Sequence, residues 1–366
     1  MTDNINNERV KRAYVNWLRE AKGFAESTIT VIERATSLWE EFSGHEGFAK
    51  FSQSKAIKFK EWLAERTKRK GANGNVTNYH ILRHLKTFFH WLATQPGFKS
   101  KIDLSSVSLL SLDRKKVREI ISPKFQEFPS LEHVRKLVSS IEIYSEIDQR
   151  DRALISFLLL SGMRDKAVAS LPLGCFDREK LEIRQLPQSG VDTKFSKSMV
   201  TYLWKFDEEL LKHVLDWSLY LEEVKLFGAA DPMFPRNKVE RSPETLVFCS
   251  SETEPKFWKG AGSIRRILEL RSKEAGLRYY KPHSFRHAAS HIAQSYCRTP
   301  EQMRAVSQNL GHENIGTTIT TYGKLDQFRL ADVIRSMDFS PDAGSEITET
   351  EARVLENMLR KARKRI

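Results

Sequence analysis

No run of this chain approaches the roughly 18 consecutive apolar residues that a membrane-crossing helix requires. Its polar start, Met1-Thr-Asp-Asn, lacks the basic and apolar segments of a secretory leader. The expectation is a cytoplasmic protein with no membrane partner. Cysteine is scarce: Cys175, Cys249 and Cys297 stand far apart, with no Cys-x-x-Cys pair. So few scattered thiols exclude a disulfide framework and read as reduced, buried small hydrophobes. There is no internal repeat and no low-complexity tract. Gly260-Ala-Gly262 lacks the lysine and the preceding strand of a phosphate-binding loop.

Acidic residues are also in deficit. Sixty Lys and Arg against 47 Asp and Glu leave a formal charge of +13. With membranes set aside, such an excess points to nucleic acid as partner. At 366 residues and 40% hydrophobic content, two domains with real cores are expected.

The first hundred residues read as four helices. Residues 7–21 carry Val10, Tyr14, Trp17 and Leu18 at helical spacing. Ser27 is the expected N-cap of a second helix with Ile29, Ile32, Leu38, Trp39 and Phe42. A third runs from about 54 to 70, stopped by Gly71, and a fourth from about 75 to 94, before Pro96. On the fourth, Ile81, Leu85, Phe88 and Leu92 cluster on one side, with Arg83, Lys86 and His90 opposite. This module holds 17 Lys/Arg against 10 Asp/Glu, so it supplies +7 of the +13. Its basic face, together with Lys68, Arg69 and Lys70, is the expected DNA-binding surface.

Residues 96–128 mix Pro, Gly, Ser and Lys and read as a linker with one ordered piece. Pro129-Ser130 then opens a helix striped by Leu131, Val134, Leu137, Val138 and Ile141, and residues 148–161 form an almost wholly apolar helix at the centre of a second domain. Residues 176–183 and 191–203 read as strands, and helices resume over 207–227 and 263–275. After the break Phe339-Ser-Pro341-Asp-Ala-Gly344, Thr348-Glu-Thr-Glu351 has capping-box form and opens a last amphipathic helix. That helix folds back on its own domain or docks on a neighbouring copy.

Five sites carry the chemistry: Arg164 after an apolar helix, Lys194 in an expected hairpin, His283 with Arg286 at the start of a helix, His312 in Leu-Gly-His, and Tyr322 ten residues later. Cutting a phosphodiester without a metal requires fixed donors to hold the charge that grows in the transition state. Arginine suits that role because its planar fork donates paired hydrogen bonds and stays protonated. A phenol, with a pKa of about 10, needs a base or a strongly positive site before it can attack. The departing oxygen needs a proton, which a lysine can supply. His283, His287 and His291 also fall at i, i+4 and i+8, a spacing that can bind zinc. Here no Glu or Cys joins them in a metal pattern.

Taken in this order, these residues resemble the tyrosine recombinase (phage integrase) family over nearly all of residues 10–330. Ser161-Gly-Met-Arg164 looks like the family's first arginine box, and Asp192-Thr-Lys194-Phe-Ser-Lys197 like its lysine hairpin, with Lys197 a rival to Lys194. His283-Ser-Phe-Arg286-His287 is similar to the second box, and Leu310-Gly-His312 leads to Tyr322 as the third box leads to the nucleophile. Phe24-Ala-Glu-Ser-Thr28 and Leu85-Lys-Thr-Phe-Phe-His-Trp-Leu92 look like the family's first domain. The resemblance implies a mainly α fold with a small antiparallel β-sheet. Residues 1–95 would be a SAM-like four-helix core-binding domain, 96–128 a linker, 129–338 the catalytic domain and 339–366 a tail.

It further implies a clamp on double-stranded DNA, in which Tyr322 attacks the scissile phosphate to give a 3′-phosphotyrosyl link. Arg164, Arg286 and His312 would hold the phosphate, Lys194 would protonate the leaving group, and His283 would assist. No cofactor, ATP or metal is implied. The working form would be a homotetramer, or a heterotetramer with related recombinases, on DNA of the nucleoid. Three features depart from the pattern: Ala167 stands where an acidic residue is usual, Tyr322 lies one residue late, and the 89 residues from Lys194 to His283 include an expected insertion at 227–259. The leading expectation is an integrase or transposase of a mobile element. A catalytically impaired regulator of the same fold and a type IB topoisomerase-like enzyme are the alternatives.

Overall fold

Apolar residues spaced three and four apart build the first part of the chain into helices: α1 (Thr2–Glu20), α2 (Glu26–Ser43), α3 (Gln53–Lys68) and α4 (Gly74–Leu92). The structure, a computed structural model, describes residues 2–68, 74–121, 127–241, 248–249 and 251–312. Arg69, Lys70, Tyr322 and the tail from 339 therefore lie outside the described residues. The chain divides into two units, Met1–Pro123 and Lys124–Ile366.

In the first unit, Ile81, Leu85, Phe88 and Leu92 of α4 are buried as their spacing predicts. The core is rich in aromatic rings. Trp39 lies 5.1 Å from both Phe59 and Phe89 and 5.4 Å from Phe51, contacts that add specific geometry to large apolar burial. Helix α2 begins one residue before Ser27, and its N-cap is Ala25, whose side chain makes no capping bond. Two short helices follow, α5 (Leu104–Ser108) and α6 (Arg114–Ile121). Asp103 caps α5 by accepting from the backbone of Ser105 and Ser106. Ile102, Val107 and Leu110, in the stretch read as linker, are buried in this core.

The second unit is organised around α8 (Glu146–Ser161), preceded by α7 (Leu131–Ser139). Ser130 caps α7, and Ser145 with Asp148 forms a capping box on α8. Residues 153–161 of α8 are all buried, which explains an apolar run on every face of the helix. It packs against α7, α10 (Glu208–Glu223) and α12 (Pro282–Ser295). A three-stranded antiparallel sheet, β1 (Phe176–Asp177), β2 (Glu182–Gln185) and β3 (Met199–Tyr202), lies in that order.

Two strand readings need correction. Residues 176–183 fold back on themselves as β1 and β2, because Asp177 accepts from Lys180 N–H at 3.0 Å and Leu181 adopts φ 53°. Residues 191–203 are strand only from Met199, since β2 offers just four residues to pair with. Before it, Lys194–Ser196 forms a tight turn in which Phe195 and Ser196 take left-handed φ values of 62° and 49°.

The insertion forms two small ladders, β4 (Arg236–Asn237) with β7 (Thr253–Glu254) and β5 (Glu240–Arg241) with β6 (Phe248–Cys249). It is anchored on α8: Arg150 Nη1 donates to the Pro235 carbonyl at 3.0 Å, and Thr253 Oγ1 hydrogen-bonds Glu146. Helices α9 (Asp165–Ala169), α11 (Gly262–Glu274) and α13 (Pro300–Asn309) complete the unit. No described helix is long and apolar enough to cross a membrane.

Candidate active site

Helix α8 ends at Gly162, whose φ of +59° is the left-handed conformation that glycine adopts without steric cost. Close packing also favours glycine there. A Cβ would sit 2.9 Å from both Leu310 Cδ2 and Trp204 Cζ3. The chain then turns through Met163 to Arg164, the N-cap of α9, whose side chain makes no capping bond. Arg164 is half-buried and lines a pocket with Lys194, Phe195, Lys197, Met199, Gly311 and His312. At about 180 Å³, the pocket is smaller than the roughly 300–1,000 Å³ typical for drug-sized ligands, and suits one phosphodiester group on a larger substrate.

Arg286, on the first turn of α12, is 3% exposed. A guanidinium is buried at such depth only if its donors are met. Its Nη1 donates to the Gly162 carbonyl at 2.7 Å, and its Nη2 donates to the Leu310 carbonyl and lies 3.1 Å from His312 Nε2. One side chain thus ties the end of α8 to the end of α13. Arginine can only donate, so Nε2 of His312 is the acceptor and the ring proton sits on Nδ1.

His312 is presented by the C-terminus of α13. Gly311, at φ +68°, lets the His312 N–H reach back to the Ser307 carbonyl at 3.0 Å. Desolvation, followed by the charges of Arg286 and Arg164, pushes the His312 pKa down to about 4. Desolvation, Arg286 and Arg164 also lower His283, against which Asp165 acts in the opposite direction. His287 is buried and pushed down to about 4, chiefly by desolvation. The three histidines are thus neutral near pH 7 and add no positive charge to the site.

Lys194 and Lys197 lie on the loop between β2 and β3, both exposed and both lining the pocket. Lys194 Nζ stands 4.8 Å from the Phe195 ring centre. The loop is tied to α9 by the Asp192 N–H, which donates to Ser170 Oγ at 2.7 Å. Ala167 is buried, and Asp165 pairs with Arg265 at 3.3 Å while remaining close enough to act on His283.

The structure therefore brings Arg164, Lys194, His283, Arg286 and His312 to one locality. Tyr322 lies outside the described residues. The histidines spaced for zinc do not gather around an ion: His283 packs edge-on against His287 at 4.8 Å, while His291 lies against Phe128 at 5.0 Å. Among the described residues no group of His, Cys, Asp and Glu could hold a metal. In the first unit, Arg83 and His90 are exposed, Lys86 is half-buried, and exposed Lys68 pairs with Glu65 at 2.7 Å.

Sequence reading missed Gln185, Thr201 and Asn309, which join the sheet to α13. Gln185 Nε2 donates to Thr201 Oγ1 at 2.7 Å, and Thr201 Oγ1 donates to the Asn309 carbonyl at 3.1 Å.

The model of the phage integrase family matches residues 130–328. Tyrosine recombinase XerC of Lactobacillus delbrueckii subsp. bulgaricus is 24% identical over 315 residues, covering 84% of this chain and 92% of that one. Tyrosine recombinase XerD of Listeria innocua is 26% identical over 267 residues, 71% of this chain and 74% of its own. Among solved structures, XerH site-specific recombinase in its post-cleavage complex with a palindromic difH substrate superposes with a TM-score of 0.57 at 18% identity, covering 87% of this chain and 82% of that one. A lambda integrase dimer bound to a COC′ core site gives 0.57 at 11% identity, over 87% of this chain and 98% of that one. These two structures share the fold.

Proposed function

Because the chain belongs to the phage integrase family, we propose that it is a site-specific DNA recombinase that cuts and rejoins duplex DNA through Tyr322. The observation that carries this reading is the Arg286 clip, which holds Gly162, two residues from Arg164, against Leu310-Gly311-His312. Arg164 and His312 then line one small pocket that also has Lys194 and Lys197 on its rim, and buried Arg286 lies within hydrogen-bond distance of that His312.

In the proposed reaction the Tyr322 phenol gives its proton to a neutral histidine of the site, its oxygen attacks phosphorus, and the bond to the 5′-oxygen breaks. A 3′-phosphotyrosyl link forms, and the 5′-oxygen takes a proton from Lys194 and leaves as a hydroxyl. Arg164, Arg286 and His312 hold the non-bridging oxygens, where charge grows, and His283 assists in proton handling or phosphate binding. The energy of the broken ester is kept in the tyrosyl ester, so rejoining requires neither ATP nor metal. The basic first unit, including Lys68, Arg69, Lys70, Arg83, Lys86 and His90, contributes phosphate contacts along the duplex. The working assembly is a tetramer on two DNA sites, as an integrase or transposase of a mobile element acting in the cytoplasm.

A duplex nicked beside the scissile phosphate, made from the DNA that flanks the gene, tests this directly. An active recombinase leaves a covalent protein–DNA band on a denaturing gel, and Tyr322→Phe abolishes it. No band with the unaltered protein means an impaired regulator of the same fold. Relaxation of any supercoiled plasmid regardless of sequence means a topoisomerase-like enzyme. Recombination between the ends that bound the gene tests the mobile-element assignment.

A further inference from the structure

Strand β3 is the edge of its sheet, with β2 on one side only. On the other side the backbone of Tyr202 meets a side chain. Asn309 Oδ1 accepts from Tyr202 N–H at 2.7 Å, and Asn309 Nδ2 donates to the Tyr202 carbonyl at 2.9 Å. A primary amide carries a donor and an acceptor side by side, so it completes a ladder rung as a neighbouring strand would. The preceding residue adds a second link, since Thr201 Oγ1 donates to Asn309's own carbonyl at 3.1 Å. Gln185 Nε2 donates to that hydroxyl at 2.7 Å, and Gln185 and Thr201 are 4% and 1% exposed. The chain of bonds therefore runs from β2 through β3 to the end of α13; the Gln185 and Thr201 links are shielded from water, and the Asn309–Tyr202 pair is exposed.

Both ends of this junction lead into the site. Asn309 is the last residue of α13 and is followed by Leu310, Gly311 and His312. Upstream, β3 begins at Met199, directly after the loop that bears Lys194. Met199 and Gly311 also pack closely, since a Cβ on Gly311 would lie 2.6 Å from Met199 Cε.

We propose that Asn309 is a positioning residue that fixes the register of the lysine-bearing loop against His312, and so the line along which Lys194 delivers its proton. The inference rests on the proposed role of Lys194 as general acid. Asn309 itself touches neither phosphate nor leaving group. Its loss leaves phosphate binding in place and misplaces the proton donor.

The test compares two leaving groups in single-turnover cleavage of the nicked flanking duplex. One substrate has the ordinary 5′-bridging oxygen, and the other has sulfur at that atom. A thiolate departs without a proton, so the sulfur substrate does not need the acid. Asn309→Leu should cleave the oxygen substrate on the order of 100-fold more slowly, the low end of what a positioned acid supplies, and the sulfur substrate within about threefold of the unaltered protein (order-of-magnitude expectations). Lys194→Ala should show the same selective rescue. Thr201→Val, which cuts the second link and keeps Asn309, should show it in weaker form and serves if Asn309→Leu does not fold. Equal slowing of Asn309→Leu and Thr201→Val on both substrates, with Lys194→Ala rescued, overturns the inference and leaves the Lys194 role standing. Lys194→Ala unrescued overturns that role and the inference with it.

Discussion

Nη2 of Arg286 lies 3.1 Å from Nε2 of His312, and the same guanidinium reaches the carbonyls of Gly162 and Leu310. Arg286 is thus a structural clip, besides its proposed role in holding the phosphate. Arg286→Ala should lower the cleavage rate on the order of 100-fold or more, as loss of one preorganised donor does. It should also destabilise the fold, because two buried carbonyls lose their partner at about 1–3 kcal/mol each. Arg286→Lys should recover little, since a point charge cannot span three acceptors. Single-turnover cleavage and urea denaturation check both parts, and near-full cleavage by Arg286→Ala would remove it from the site.

The lowered histidines make a prediction about acid. His312 and His287 stand near 4, below the ordinary 6.5, and burial is the main cause for both. A histidine depressed by folding binds its proton more readily in the unfolded chain. Its contribution is therefore complete above about 6.5 and is lost as pH falls from there towards 4. The urea midpoint should fall between pH 6.5 and 5, before most carboxylates titrate, and His287→Gln should flatten that slope. An unchanged slope in His287→Gln would contradict the assignment.

Gly162 is where α8, Trp204 and Leu310 meet. Gly162→Ala imposes the left-handed conformation on a residue with a Cβ, costing about 1–2 kcal/mol. It also drives that carbon against two side chains at 2.9 Å, which adds about 1–3 kcal/mol of overpacking. The melting temperature should drop by several degrees and cleavage should fall with it, because Leu310 and His312 move together. A variant as stable and active as the parent would show that this contact does not set the site.

Buried charge supports the same helix further back. Asp151 is 2% exposed and accepts from Arg150 at 2.7 Å and from Arg271 at 2.9 Å, joining α8 to α11. Asp151→Ala leaves buried Arg150 without its carboxylate partner, while Arg271 keeps Asp148 at 2.5 Å, at a cost of about 3–5 kcal/mol. Urea unfolding should show a loss of that size, and a loss under about 1 kcal/mol would mean the arginines are satisfied elsewhere.

Much of this was legible in the sequence. His283 and Arg286 open a helix as read, the helix that presents His312 was not read, and Arg164 follows a helix whose apolar run was readable. Ile81, Leu85, Phe88 and Leu92 are buried for the same reason. The sheet was less legible. Residues 176–183 looked like one strand because β-propensity registers apolar content and overlooks the turn that Asp177 closes. Asn309 was invisible for another reason. Before a Leu-Gly it reads as an ordinary helix end, and its partner Tyr202 lies 107 residues away, a pairing no local pattern encodes. Thr201 and Gln185 pair across strands whose register depends on the strand boundaries that sequence defined least well.

The central claim is that Tyr322 is the atom source for the covalent link, and mass spectrometry of the trapped complex tests it most directly. After nuclease and trypsin digestion, residues 305–324 form one peptide whose only tyrosine is Tyr322. The account predicts this peptide carrying a nucleotide joined through its 3′-phosphate. A nucleotide on any other peptide, or joined through a 5′-phosphate, would contradict it.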